Sequence, residues 1–409
     1  MKHAIANMVN EILFVLLSVR RRLQKKQMPD TSGILLVRFS HIGDFVLWLD
    51  AAKEFRRMYP GEKITFVCDR YKDVRMLAEK TGYFDEIAVL RTRGIGRLSG
   101  IRQAMRLSGR IAVNADPSRT VLSDLVMLAV RAQARIAQQA DTTRMSKWQA
   151  RRSDRIYDQI IRCGGIRTME LIRNAQFIRG LSGKDCFRAG IPQIAPLLPK
   201  EEVKEKLRLP ARYFVLCPGG EAPQKYWDAK KYAAVLNQIF AMDTKICCVA
   251  AGTAGEQSEL EKIRRYVKAG QKERVISRIG ATSLIEYIEL IRCAAWLLSN
   301  DTSAAHIAAA VGTQAVVLAQ SWDWGRFYPY RTERRSQTDC PPICIHAHIA
   351  CAGCLAYGIQ LGRQKCLVNG RVLCMEQITV GQVIRGLKGT LEEGERGLLP
   401  VPVPKCKEP

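Results

Sequence analysis

The sequence predicts an α/β protein made of two doubly wound halves facing each other across a cleft. Three observations lead there. From residue 33 onward, short β-rich runs alternate with helical stretches, the pattern of parallel sheets built from β-α units. A chain of 409 residues exceeds one ordinary core and suits two domains. Finally, a stretch punctuated by Pro192, Pro196, Pro199 and Pro210 separates two sets of runs, because proline resists both helix interiors and central strands. A hydrophobic content of 47% and a charged content of 25% are ordinary globular values that exclude wholesale disorder and collagen-like repeats.

Residues 1–32 form an N-terminal apolar and basic segment. Its apolar run, Ile12 to Val19, is far short of the roughly 20 residues that cross a bilayer. Arg20, Arg21, Arg22, Lys25 and Lys26 follow that run, whereas a signal peptide carries its positive charge before it, which argues against export. Two readings remain: a helix lying on an anionic membrane surface, or a terminal helix packed on its domain. Residues 33–190 hold the first set of strands, Ile34–Val37, Ile64–Cys68, Ile87–Leu90 and Ile111–Val113. Residues 191–210 are the linker, and 211–335 hold the second set, Tyr213–Leu216, Lys245–Ala250, Ala295–Leu298 and Ala315–Leu318. Residues 336–409 comprise a Cys-rich segment with a C-terminal helix and tail.

Lysine and arginine total 64 against 39 acids, a net charge of +25. Such an excess implies polyanionic company: nucleic acid, anionic membrane or phosphorylated ligands. The cations concentrate in the first half, at Arg91, Arg93, Arg97, Arg102, Arg106 and Arg110, and again at Arg131, Arg135, Arg144, Lys147, Arg151, Arg152 and Arg155. The chain lacks the interleaving of aromatic and basic residues that single-strand binders use, so nucleic acid is not an expected partner. A membrane surface and an acceptor phosphate account for the placement better.

Doubly wound sheets bind ligands at the carboxyl ends of their strands, so the loops after strands are where chemistry belongs. After the first strand comes Ser40-His41-Ile42-Gly43-Asp44. Gly43 permits a tight turn, and Asp44 opens a helix expected from Phe45 to Arg57, where it serves either as an N-cap or in chemistry. The first strand of the second half leads into Pro218-Gly219-Gly220 and on to Lys225, a loop suited to cradle phosphate without the spacing of a P-loop. The next loop, Gly252 to Glu256, presents a carboxylate able to accept from a ribose diol or to favour the helix dipole. Asp301, Thr302 and Ser303 then fall at a helix N-terminus, where free amides and hydroxyls can cap the helix or hold a phosphate.

Four such loops in this order resemble glycosyltransferase family 9, the ADP-heptose:lipopolysaccharide heptosyltransferases, over roughly residues 33 to 385. The matching zones are Ser-x-x-Gly-Asp at Ser40 to Asp44, the Pro-Gly loop leading to Lys-x-Trp at Pro218 to Trp227, Gly-x-x-x-Glu at Gly252 to Glu256, and Asn-Asp-Thr-x-x-x-His-x-x-Ala-Ala at Asn300 to Ala310. The resemblance implies a GT-B architecture, with acceptor held mainly by the first half and nucleotide sugar by the second. It implies that Asp44 is the base for inverting attack on the sugar C1 and that Lys225 offsets charge on the leaving ADP. By the same resemblance, Glu256 contacts ribose, Asp301 the heptose hydroxyls, and Thr302 with Ser303 the phosphate. Ser40, Gly43 and Gly219 fall within the substrate-binding motifs, and His306 is either a packed histidine or a substrate contact. No cofactor is required if Lys225 and the helix dipole neutralise the leaving group.

The expected donor is an ADP-sugar. The expected acceptor is a phosphorylated, lipid-linked glycan such as a lipopolysaccharide core, reached from the cytoplasm at the inner face of the cytoplasmic membrane. Transfer to a protein serine, as in autotransporter heptosyltransferases, is the alternative, and the absence of an extra N-terminal recognition domain counts against it. Two departures stand out: Ser303 replaces a usual glycine, and Tyr226-Trp227-Asp228 lacks the usual proline after Trp.

Six cysteines crowd between residues 340 and 374. Cys340, Cys344, Cys351 and Cys354 have turn-forming Pro and Gly between them and a spacing compatible with a tetrahedral zinc or iron. In the autotransporter relatives a comparable segment binds iron. Free thiols are the other expectation, since a chain of this size needs no disulfides and carries no export signal.

Overall fold

The structure, a computed structural model, describes residues 2–24, 32–69, 72–92, 96–185, 187–220, 222–354, 366–368 and 370–394. Lys25, Lys26, Arg93, Cys186, Cys406, the tail beyond 394 and the side chain of Arg22 lie outside the described residues. The chain divides into two compact units, Met1–Pro192 with Arg331–Ser336, and Gln193–Tyr330 with Gln337–Pro409.

The first unit begins with α1 (Lys2–Gln24), then β1 (Ile34–Val37), α2 (Ile42–Met58), β2 (Ile64–Asp69), α3 (Lys72–Thr81) and β3 (Glu86–Leu90). It continues through α4 (Gly96–Ala104), β4 (Ser108–Asn114), α5 (Val121–Ala129), β5 (Arg131–Gln138), α6 (Lys147–Asp154), β6 (Gln159–Ile161) and α7 (Glu170–Ser182). Its strands form one parallel sheet in the order β3-β2-β1-β4-β5-β6. Every residue of β1 and β2 is buried, as expected where helices cover both faces of a parallel sheet. Capping boxes at Thr120 with Ser123 and at Ser146 with Gln149 start α5 and α6.

The second unit comprises α8 (Lys200–Lys206), β7 (Tyr213–Cys217), α9 (Ala229–Met242), β8 (Cys247–Ala250), α10 (Gln257–Tyr266), β9 (Val275–Ser277), α11 (Leu284–Arg292) and β10 (Leu297–Asn300). After these come α12 (Ser303–Val311), β11 (Ala315–Leu318), β12 (Ile343–Ile345), the short hairpin β13 (Leu367–Val368) and β14 (Arg371–Val372), α13 (Leu373–Glu376) and α14 (Val380–Gly394). The large sheet is parallel in the order β12-β11-β10-β7-β8-β9. Helix α12 ends on Gly312 at φ +79°, a left-handed cap that glycine adopts without the steric cost a side chain brings. Within the proline-punctuated stretch α8 forms, and the Ile194 and Leu197 amides donate to the Ala310 carbonyl and the Glu289 carboxylate at 2.8 and 2.9 Å.

Both sheets have the order 3-2-1-4-5-6 within their unit. Each therefore has one point where the strand order reverses, between β1 and β4 in the first unit and between β7 and β10 in the second.

Candidate active site

In the first unit, the loop from β1 to α2 runs out at the reversal point. The helix starts at Ile42, three residues earlier than expected, with His41 as N-cap and no side-chain cap bond. Asp44 thus lies in the first turn of α2 and is not the N-cap, and Gly43 is a buried helical residue instead of a left-handed turn glycine. The carboxylate of Asp44 is released from capping and partly exposed. Ser40 is buried, and its hydroxyl has no hydrogen-bond partner among the described residues.

What holds this loop comes from residues that motif reading passed over. Arg38 is fully buried: it donates to the Ala115 carbonyl at 2.6 Å and to the Asp44 carbonyl at 3.3 Å, and its guanidinium lies 5.1 Å from the Trp48 ring centre. Asp116, just past β4, accepts the Phe39 amide with both oxygens, at 2.9 and 3.1 Å. Burial pushes the Asp116 carboxyl up to about 7, against the pull of Arg38 and the Phe39 amide. Burial likewise lowers Arg38, while Asp116, Glu170 and Asp44 hold its charge in place. Beside them, Arg173 pairs with Glu170 and Asp141 at 3.4 and 3.3 Å, and all three are buried. A buried pair is costly to break because its remaining member is left charged in a dry interior.

Not all of the cations expected to face phosphate are available. Arg135 is buried and donates to the Met127, Val130 and Ala132 carbonyls, with burial lowering it to about 10. Arg152 pairs with Glu11, Arg110 pairs with Glu62, and Arg97 bonds Asn10. Arg91, Arg102, Arg106, Arg131, Arg144, Lys147, Arg151 and Arg155 remain exposed. A cavity of about 440 Å³ lined by Glu54, Arg57, Tyr59, Ile178, Leu181 and Phe187 sits at the other end of α2 and contains none of the expected site residues.

In the second unit, the loops after β7, β8 and β10 meet at that unit's reversal point. Gly219 is close enough to Glu256 that a Cβ there would stand 2.4 Å from the carboxyl carbon, and one on Gly252 would stand 1.8 Å from a carboxylate oxygen. The glycines therefore let Glu256 fold back between the two loops, where it accepts the Thr253 amide at 2.9 Å and the Gly220 amide. Burial raises its pKa while those amides oppose the rise. Lys225 ends a short 3-10 turn, its Nζ 5.7 Å from the Trp322 ring centre. Asp228, standing where the family's proline is expected, caps α9 by accepting the Lys230 and Lys231 amides.

Asp301 lies just past β10 and accepts from Gln320 at 3.3 Å. Thr302 is the N-cap of α12, accepting the Ala304 amide at 3.3 Å, and Ser303 is the first helical residue. Asn300, fully buried, donates to the Pro218 and Gly219 carbonyls at 2.5 and 3.1 Å and accepts from the Tyr232 hydroxyl at 2.8 Å. It locks the β7 loop to the β10 loop. His306 is buried in a tyrosine stack, its Nδ1 2.7 Å from the Tyr330 hydroxyl and its ring 5.1 Å from that of Tyr328, which is the packed reading of this residue.

The expected metal set is not assembled. Among the described residues no group of three or more His, Cys, Asp or Glu side chains is placed to hold a metal ion. Cys340 and Cys344 are drawn aside by β12: the Cys340 thiol faces Gln314 at 3.4 Å and the Cys344 thiol donates to the Pro342 carbonyl. Cys354 instead interacts with Cys351 and Cys366, and Cys374 with Cys366 and Cys354. Burial raises Cys344 far above the usual thiol range and Cys374 to about 11. Among the described residues, Cys340, Cys344, Cys351 and Cys354 are not gathered around one metal position.

Residues 192–339, which carry the Pro-Gly loop, Lys225, Glu256 and Asp301, match glycosyltransferase family 9 (heptosyltransferase). This segment is a glycosyltransferase family 9 domain. The chain is 29% identical over 103 residues to lipooligosaccharide heptosyltransferase 2 of Haemophilus influenzae, a match covering 25% of this chain and 29% of that relative's length. A family 9 glycosyltransferase structure from Veillonella parvula superposes with a TM-score of 0.67 at 15% identity, over 88% of this chain and 97% of that one. The E. coli ADP-heptose lipopolysaccharide heptosyltransferase II superposes with a TM-score of 0.63 at 17% identity, over 89% and 99%. The fold class is accordingly GT-B, two parallel α/β units. The family 9 motifs led to Asp44, Lys225, Glu256 and Asp301, but not to Arg38 and Asp116, nor, though Asn300 opens the last motif, to the role of Asn300 in joining two loops. Those three are polar residues at strand ends, and that position was the available signal.

Proposed function

We propose that the protein is an inverting glycosyltransferase that transfers heptose or a similar sugar from an ADP-sugar to a lipopolysaccharide core or related lipid-linked glycan. The observation that carries this is positional. The carboxylate, lysine and helix-start residues of the family 9 pattern all stand on the loops or first helical turns that follow strands at the strand-order reversal points of two Rossmann-like sheets.

In this reading the second unit binds the donor. Glu256 accepts from the ribose hydroxyls, Lys225 and the N-terminus of α12 at Thr302 and Ser303 take the diphosphate, and Asp301 accepts from the sugar. As ADP leaves, negative charge grows on its terminal phosphate, and the ammonium with the helix-end amides offsets it without calling for a divalent cation. Asp44, held by its first-turn position and by Arg38, takes the proton from the acceptor hydroxyl as that oxygen attacks C1 from the face opposite the leaving group. The acceptor is phosphorylated and lipid-linked, and the work takes place in the cytoplasm at the inner face of the membrane. Among the described residues, no helix is long and apolar enough to cross a membrane.

The test is ADP release by the full chain from ADP-heptose with a lipid-linked core acceptor. Asp44→Asn is expected to lower kcat by about 10²–10⁴ with donor binding kept, as loss of general-base assistance does. Full turnover by that variant would remove Asp44 from the role. Supplying labelled donor to membrane and protein fractions separately distinguishes a glycolipid acceptor from a protein serine.

A further inference from the structure

Helix α1 is packed on the first unit by one side only. Phe14 and Leu17 are buried against α5, the Arg20 guanidinium donates to the Ala129 carbonyl at 3.1 Å, and Arg21 donates to the Ile156 carbonyl at 2.5 Å. On the other side Met8, Ile12, Val15, Leu16 and Val19 are each half or more exposed. At about 100° per residue these five fall within an arc of roughly 100°, so they make one continuous apolar stripe instead of scattered exposures. Monomeric surfaces rarely leave such a stripe uncovered without a partner.

The neighbouring helix indicates which partner. Arg152 of α6 pairs with Glu11 and lies over the Phe14 ring at 3.9 Å, which sets α6 beside α1. From α6 and its C-terminal end, Trp148, at 63% the most exposed large apolar residue among those described, and the cations Lys147, Arg151 and Arg155 reach into solvent. The acids of this face are already tied to arginines: Glu11 to Arg152, Asp158 to Arg21 and Asp154 to Arg119. An apolar stripe, an exposed tryptophan and unneutralised cations on one face match the apolar boundary and anionic headgroups of a bilayer. A second copy of the chain fits less well, because symmetric pairing through the stripe would bring these cations against their like.

We infer that α1 and α6 together form a docking face for an anionic lipid surface, with the α1 stripe entering the headgroup boundary and Lys147, Arg151 and Arg155 meeting lipid phosphates. The inference deepens the reading of a lipid-linked acceptor, but its evidence and its test are independent of sugar transfer.

The test is co-sedimentation of the full chain with vesicles of phosphatidylcholine alone and of phosphatidylcholine mixed equally with phosphatidylglycerol, with no substrate present. Binding to the anionic vesicles is expected, weak for the neutral ones and falling with salt. Each of Lys147→Ala, Arg151→Ala and Arg155→Ala should weaken it by about fivefold. Leu16→Asn should weaken binding to anionic vesicles at every salt concentration while leaving the thermal midpoint unchanged, since its side chain is already in water. Absence of binding to anionic vesicles, or binding unaffected by both classes of variant, overturns the inference. So does a dimer in sedimentation that Leu16→Asn dissociates, because the stripe then belongs to a second copy. Loss of vesicle binding with turnover on a detergent-dispersed acceptor intact separates this face from the catalytic reading, and loss of turnover alone leaves the face standing.

Discussion

The Asp116 carboxylate receives the Phe39 amide on both of its oxygens, joining the end of β4 to the loop that carries Asp44. Its folded-state pKa of about 7 lies above the ordinary carboxylate value, so the proton binds the folded protein more tightly than the unfolded one. The resulting stability is full below about pH 4 and is lost as pH rises through about 7. Between pH 5 and pH 8 the urea midpoint should therefore fall, and Asp116→Asn should flatten that fall by an amount on the order of a few kcal/mol. Equal slopes for the two proteins would show that Asp116 is not the group responsible.

Gly219→Ala should weaken ADP binding roughly tenfold, the worth of one charge-assisted hydrogen bond, with little loss of stability. The added methyl meets the flexible end of Glu256 and pushes it off the Thr253 and Gly220 amides. Calorimetric titration with ADP reads this directly; unchanged affinity would mean that Glu256 does not contact the nucleotide.

Asn300→Ala is expected to cost on the order of 3 kcal/mol in denaturant unfolding. It leaves the Tyr232 hydroxyl and the Pro218 and Gly219 carbonyls without their buried partner. Asn300→Asp, which sets a carboxylate oxygen against the Pro218 and Gly219 carbonyls in a dry interior, should cost at least as much. A loss below about 1 kcal/mol for the alanine variant would contradict the locking role.

Lys225→Met should lower kcat by about 10²-fold and leave the thermal midpoint where it is, since among the described residues the ammonium meets the Trp322 ring and forms no ion pair. A change confined to KM for the acceptor would place Lys225 away from the leaving group.

Chelator treatment should leave the thermal midpoint unchanged, because Cys340 and Cys344 stand apart from Cys351 and Cys354. A thiol reagent should meet exposed Cys351 rapidly and buried Cys248 only on unfolding. Stoichiometric zinc or iron in protein purified with reductant, lost together with stability, would show that the thiols gather after all.

Local pattern was enough for the fold class. Continuous apolar runs such as Ile34–Val37 and Ala315–Leu318 are strands buried on both faces, and the rule that ligands meet strand ends led to Asp44, Lys225, Glu256 and Asp301 without any coordinates. The strands of the two parallel sheets that local pattern does not reveal, β5, β6, β9 and β12, are short or polar: β5 carries two arginines and two glutamines in eight residues, so its alternation is hidden. Only the tertiary structure decided which charges are buried and what they hold. Arg135 reads as a surface cation until the carbonyls of α5 and its end close around it, and Asp116 meets Phe39 across 77 residues of chain. The same holds for the cysteines, where spacing within a segment suggested one ligand set and the course of β12 separated it. Periodicity and loop position are properties of neighbours in sequence, whereas burial, pairing and pKa belong to residues that meet only when the sheet forms.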